Sequence, residues 1–239
     1  RMDFVRFTGE SFIYGVLILC GVAVLNVFTM AIFSSAGFDP DKAMSEWLLP
    51  VCVFAAPAAA MRLALAKRSV VETIAPVLAR IFAPLFLAAM LAFVAATLAA
   101  GRDPFADRNA LVLFDVVLAV VVALVLFSTA MRDPRAASGV GDWVDLGLAV
   151  AALGIDAALL AVMAGRIGAW GLTPNRIAAL GENLVFLAEF AGTAVILGRH
   201  LLGKGRYEAV IRWQVAFIPV AFAWAGVVAL VLPLVFGGA

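Results

Sequence analysis

Histidine occurs once, cysteine and tyrosine twice each, and charged residues make up only 14% of the 239-residue chain. Each shortage excludes something. The single histidine, His200, closes an apolar run among Arg199, Lys204 and Arg206. That setting suits a lipid-facing basic collar. It does not suit a serine protease that needs a histidine inside the membrane. Cys20 and Cys52 have neither CxxC nor Cys/His spacing and read as small buried hydrophobes. Lysine is confined to Lys42, Lys67 and Lys204, all in expected connectors, so no apolar run offers a lysine for a retinal Schiff base. There is no Walker loop, no GxGxxG and no clustered metal-ligand spacing, so no cofactor is expected. A net charge of +1 supplies no field for nucleic acid.

What is abundant is apolar surface, at 65% of the residues. A soluble domain is about half apolar and a quarter charged. Seven apolar stretches stand out, at about 12–33, 47–66, 74–100, 110–130, 144–164, 178–197 and 214–236. Each is near the roughly 20 residues that carry a helix across a hydrocarbon core of about 30 Å. Arg80, Pro76 and Pro84 interrupt the third, whose span is expected to start near Ile81. Turn and charge signals separate the stretches, as in Gly101-Arg-Asp-Pro and Gly203-Lys-Gly-Arg. The expected fold is all-α and polytopic, a transmembrane helical bundle of about seven spans forming one domain over residues 1–239. The first residue is Arg1, not Met, so an upstream N-terminal part is expected to be missing.

Orientation follows from the basic residues. Arg1, Arg6, Arg62, Lys67, Arg68, Arg132, Arg135, Arg199, Lys204, Arg206 and Arg212 fall on one side, eleven of the 17, against Lys42, Arg102, Arg108, Arg166 and Arg176 on the other. The positive-inside rule places the N-terminus in the cytoplasm and the C-terminus outside. Trp47, Trp143 and Trp213 start spans and Trp170 lies in a connector, the interfacial belt position.

Against this background Asp156, Glu182, Asn183 and Glu189 are out of place. They sit in the fifth and sixth stretches, joined by the amphipathic connector Arg166 to Arg176. A carboxylate at bilayer depth costs several kcal/mol unless it is paired, hydrated or protonated. Counting about 1.5 Å per residue from each midpoint puts these groups, with Asp115 and Asn26, in the outer half of the membrane. Glu182 and Glu189 are seven apart and share a helix face with Phe186 and Thr193, while Asp145, Ala149, Ala152 and Asp156 line the preceding span. If the stripes face each other, Asp156 and Glu189 approach closely, and like charges in low dielectric do not both ionise cheaply.

Two readings compete: an outward-facing polar cavity for a proton, ion or small solute, and a structural network. In the second, Arg108, Arg166 and Arg176 are counter-ions and the polar groups lock helices together or dock a partner, a membrane protein or a second copy of the chain. An intramembrane enzyme ranks third. Gly139-Val-Gly-Asp142 matches the GxGD string of intramembrane aspartyl proteases, but Asp115 belongs to the outer half of its span and Asp142 to the cytoplasmic entrance of the next. Helix rise separates them by roughly 20 Å, too far to share a water.

Some strings resemble a known group. Asp3-Phe-Val-Arg-Phe-Thr-Gly-Glu10, Gly168-Ala-Trp-Gly-Leu-Thr-Pro-Asn-Arg176, Ala179-Leu-Gly-Glu-Asn183 and Arg212-Trp-Gln resemble bacterial inner-membrane proteins of domain-of-unknown-function family 4153. The resemblance implies a multi-pass location in the bacterial inner membrane. It implies no catalytic residues.

Overall fold

The structure, a computed structural model, describes residues 2–35, 37–66, 74–101, 105 and 108–237. Among the described residues every regular element is helical. The chain runs α1 (Met2–Ser35), α2 (Asp41–Ala43), a π-helical turn (Met44–Leu48), α3 (Leu49–Ala66), α4 (Ile74–Ala100), α5 (Arg108–Met131), α6 (Val140–Trp170), α7 (Pro174–Leu201), α8 (Glu208–Gly226), a second π turn (Val227–Val231) and α9 (Leu232–Phe236). Among the described residues seven segments are long and apolar enough to cross a membrane. The fold is therefore all-α and polytopic. Each π turn ends two residues before a proline, Pro50 or Pro233. A proline ring clashes with the carbonyl four residues back, and a widened turn absorbs that clash inside a continuing helix.

The chain divides into two compact units, Arg1–Leu113 and Phe114–Ala239, with the boundary inside α5. In the first unit α1 packs on α3 and α4. Gly21 lets the Phe82 ring lie against the α1 backbone, where a Cβ would overlap it. Edge-on pairs Phe28–Phe86 and Phe33–Phe93, with centroids 6.3 and 5.7 Å apart, continue the seam. Cys20, expected inside, faces outward, and Cys52 is half-buried. An exposed thiol here is ordinary, because the outward face of a membrane helix meets lipid and not water.

In the second unit α6 packs along α7, and α7 along α8. The stripe Asp145, Ala149, Ala152 and Asp156 is buried as its spacing requires. The buried line of α7 is turned slightly from the expected one. It runs through Asn183, Phe190 and Leu197 and takes in Glu189 and Thr193, while Glu182 is only half-buried. The connector from Arg166 to Arg176 is shorter than expected. Arg166 to Trp170 remain helical, and only Gly171, Leu172 and Thr173 turn the chain. Gly171 takes φ +73° and donates its N–H to the Ile167 carbonyl, a conformation that favours glycine. The Thr173 hydroxyl caps α7 by accepting from the Arg176 N–H, and Pro174 occupies the first helical turn.

The α7–α8 contact has its own register device. Trp213 covers Gly192 and donates its indole N–H to the Glu189 carbonyl at 3.2 Å. Trp224 covers Gly181 and donates to the Ala178 carbonyl, also at 3.2 Å. In both cases the accepting carbonyl lies three residues before the glycine. The two tryptophans and the two glycines are each eleven residues apart, three helical turns, so one antiparallel pairing seats both rings. Trp213 thus has a helix-packing role in place of the interfacial one expected. Trp143 and Trp170, 56% and 76% exposed, do project outward as the belt reading requires. A methyl at either glycine would overlap the indole, so Gly181→Ala and Gly192→Ala should each cost about 1–3 kcal/mol. Thermal unfolding in detergent reads this directly. Melting as late as wild type would mean that the rings do not need the glycines.

Candidate functional site: buried carboxylates of the second unit

The polar side chains of the second unit form three groups. The first centres on Asn183. Asn183, fully buried on α7, donates to Asp115 Oδ1 of α5 at 2.8 Å and to the Ala179 carbonyl at 2.9 Å. Asp115 is half-buried, and Glu182 and Asp156 both lie within its electrostatic reach. Asp156 is 0% exposed, and neither carboxyl oxygen has a hydrogen-bond partner. Burial without a partner is the most expensive arrangement open to a carboxyl group.

The second group lies two turns further along α7. Glu189 Oε1 accepts from the Thr193 hydroxyl at 3.0 Å, and Thr193 Oγ1 accepts from Gln214 Nε2 of α8 at 2.8 Å. Glu189 Oε2 has no partner. Glu189 is therefore linked to α8 through Thr193, and neither it nor Asp156 is the other's hydrogen-bond partner.

The other sequence-derived residues fall as follows. Arg176 donates to the carbonyls of Trp170 and Gly171 at 3.0 and 2.7 Å, so this candidate counter-ion caps the end of α6. Arg166 is half-buried on α6. Arg108 begins α5, but its side chain lies outside the described residues. Asn26 belongs to the first unit, where it donates to Met44 Sδ at 3.8 Å.

The third group, at the opposite ends of α6 and α7, joins Asp142, Asp145 and His200 to Arg132 and Tyr207, a set that no sequence pattern links. Arg132 donates Nη2 to Asp142 Oδ2 at 2.8 Å, and the same oxygen accepts the Gly139 N–H at 2.8 Å. Asp142 is 4% exposed and is at once ion-pair partner and N-terminal cap of α6. Gly139-Val-Gly-Asp142 thus forms the start of α6. The Arg132 guanidinium sits 3.9 Å over the Tyr207 ring, and His200 meets that ring edge-on at 5.3 Å. Ser128 donates to Asp145 at 2.6 Å and so ties α6 to α5. The pairing of turn-starting Gly139 with acidic Asp142 was the available signal; its arginine partner ten residues earlier had none.

Burial pushes the Tyr207 phenol up to about 12, with a Thr129 hydrogen bond and the Arg132 charge opposing and the Asp145 and Asp142 charges adding to the rise. The folded state therefore prefers the neutral phenol. Its contribution to stability is complete below about pH 10, the ordinary tyrosine value, and is lost between about pH 10 and 12. The loss over that window should be about 2–3 kcal/mol and should vanish in Tyr207→Phe, as followed by unfolding across the pH series. An equal alkaline loss in the variant would assign it to other groups.

Among the described residues no three histidine, cysteine, aspartate or glutamate side chains converge on a metal-binding point. Comparison with known proteins adds no constraint: no family model, no curated protein and no solved structure matches the chain.

Proposed function

We propose that this chain is a multi-pass protein of the bacterial inner membrane whose second unit exchanges a proton or small cation through Asp156 and Asp115. The observation that carries the reading is Asp156, wholly enclosed, with both oxygens unpartnered and a second carboxylate within electrostatic reach. Ionisable groups of this kind inside a membrane mark proton and ion pathways. The excess of basic residues on the loops of one side supports a cytoplasmic N-terminus, which puts the Asp156 group in the outer half of the membrane. The resemblance to domain-of-unknown-function family 4153 supports the bacterial location. Asn183 is a positioning residue in this reading, because it fixes one Asp115 oxygen and leaves the other free to act.

A second reading has its own support. Asn183 ties α7 to α5, and Glu189, Thr193 and Gln214 tie α7 to α8, as an accessory subunit built only for helix packing would require. Purified protein in liposomes loaded with a pH-sensitive dye separates the two. Internal pH should follow an external pH step faster than in protein-free liposomes. A rate equal to the protein-free one, for protons and for sodium and potassium gradients alike, would leave only the packing role.

A further inference from the structure

The loops at 132–139 and 202–207 carry charge that the carboxylate site does not use. Their placement is fixed. Gly203 takes φ +70° and donates to the His200 carbonyl at 2.9 Å, while Lys204 N–H reaches the Arg199 carbonyl at 2.8 Å. That is a Schellman closure of α7 with glycine in the left-handed position, and it folds Lys204 back beside Arg199. His200 then bridges the loops. Its Nε2 meets the Ser138 hydroxyl at 3.1 Å and its Nδ1 donates to the Gly205 carbonyl at 3.1 Å. One surface therefore presents Arg135, Arg199, Lys204, Arg206 and Arg212, all exposed.

The local acids do not balance them. Asp142 is occupied by Arg132, and Glu208 pairs with Arg206 at 2.9 Å. Asp133 Oδ1 accepts the Arg135 backbone N–H at 2.9 Å. Arg135, Arg199 and Lys204 thus stay exposed outside the ion pairs of these loops and open to an anion from outside the chain. Two exposed apolar side chains say which kind: Trp143 in the first turn of α6 and Leu202 at the end of α7, 56% and 68% exposed. They sit at the ends of the membrane-crossing segments Val140–Trp170 and Pro174–Leu201. A soluble phosphate has no use for such neighbours, whereas a phospholipid meets cations with its headgroup and apolar side chains with its glycerol and upper acyl region.

We infer that Arg135, Arg199 and Lys204, on the joined loops of the second unit, form a binding site for the phosphate of an anionic phospholipid. The site is independent of the carboxylate reading. It is tested by native mass spectrometry of the full chain released from detergent with phosphatidylglycerol or phosphatidylcholine of matched chains. Wild type should retain phosphatidylglycerol at least about tenfold better. At about fivefold per charge, the triple change Arg135→Gln, Arg199→Gln, Lys204→Gln should weaken retention on the order of a hundredfold, with the melting temperature unchanged. A control in the first unit, Lys42→Gln, should retain lipid as wild type does. Equal retention of the two lipids, full retention by the triple variant, or displacement of lipid by millimolar inorganic phosphate would each overturn the proposal. Should the triple variant unfold, the wild type alone still decides. Salt near 0.5 M, where screening reaches a few ångströms, must abolish the lipid preference, and a salt-independent preference would overturn it.

Discussion

Asp156→Ala should melt later than wild type and move no protons. The carboxyl group is enclosed on all sides and accepts no hydrogen bond, so its removal relieves a desolvation cost of about 1–3 kcal/mol. Alanine is also the better helix former by roughly 0.5 kcal/mol, and the vacated space is only a carboxyl in size. One helical turn to either side on α6, Ala152 and Leu159 are apolar and fully buried, so the change leaves no new unsatisfied polar atom there. A side chain that lowers stability where it stands is retained for something else, and gain of stability with loss of activity is the signature of a site kept for function. A variant that melts earlier by 1 kcal/mol or more would show that Asp156 holds the fold together through a partner, and the proton reading would lose its main support.

Asp142→Ala should act in the opposite direction and strongly, by about 3–5 kcal/mol. It strands the Arg132 guanidinium, which is 12% exposed and faces the Tyr207 ring, and it frees the Gly139 N–H at the start of α6. Truncating one partner of a buried pair leaves a charge with neither water nor counter-charge. Replacing both, as Arg132→Met with Asp142→Leu, leaves no such charge and should cost clearly less than Asp142→Ala alone. Denaturant titration of the three proteins gives the comparison. A double variant as unstable as the single one would mean that the capping bond and the arginine–tyrosine stacking, not the stranded charge, dominate this end of the helices.

Most of the fold was legible because lipid imposes a simple rule. A run of about 20 apolar residues must form a helix to satisfy its backbone, and seven such runs were present. Three-dimensional pairing was harder to read. The stripe of Glu182 and Glu189 was right in period but turned by about one residue, because the buried line is set by which side of α7 meets its neighbours. Sequence spacing alone does not determine that side. The partner of Glu189 is Thr193, which in turn accepts from Gln214, and a glutamine in an apolar run gives no warning that it will join such a chain from the next helix. Trp213 was misassigned for a similar reason. A tryptophan at a span start suits the interfacial belt equally well, and only the glycine eleven residues from a second glycine, matched to a second tryptophan at the same interval, tells otherwise. The Arg132, Asp142 and Tyr207 group draws on two loops and shows no pattern until the chain is folded.

The central claim is that Asp156 carries charge across the outer half of the membrane while Glu189, held by Thr193, serves the α7–α8 contact. The most direct measurement is proton flux into liposomes for Asp156→Asn and Glu189→Gln, with melting temperatures taken on the same preparations. Asp156→Asn keeps the side-chain shape and removes only the titrating oxygen. The account predicts wild-type melting with flux reduced to the protein-free rate for Asp156→Asn, and measurable flux in Glu189→Gln. Flux at the wild-type rate in a folded Asp156→Asn protein would contradict it.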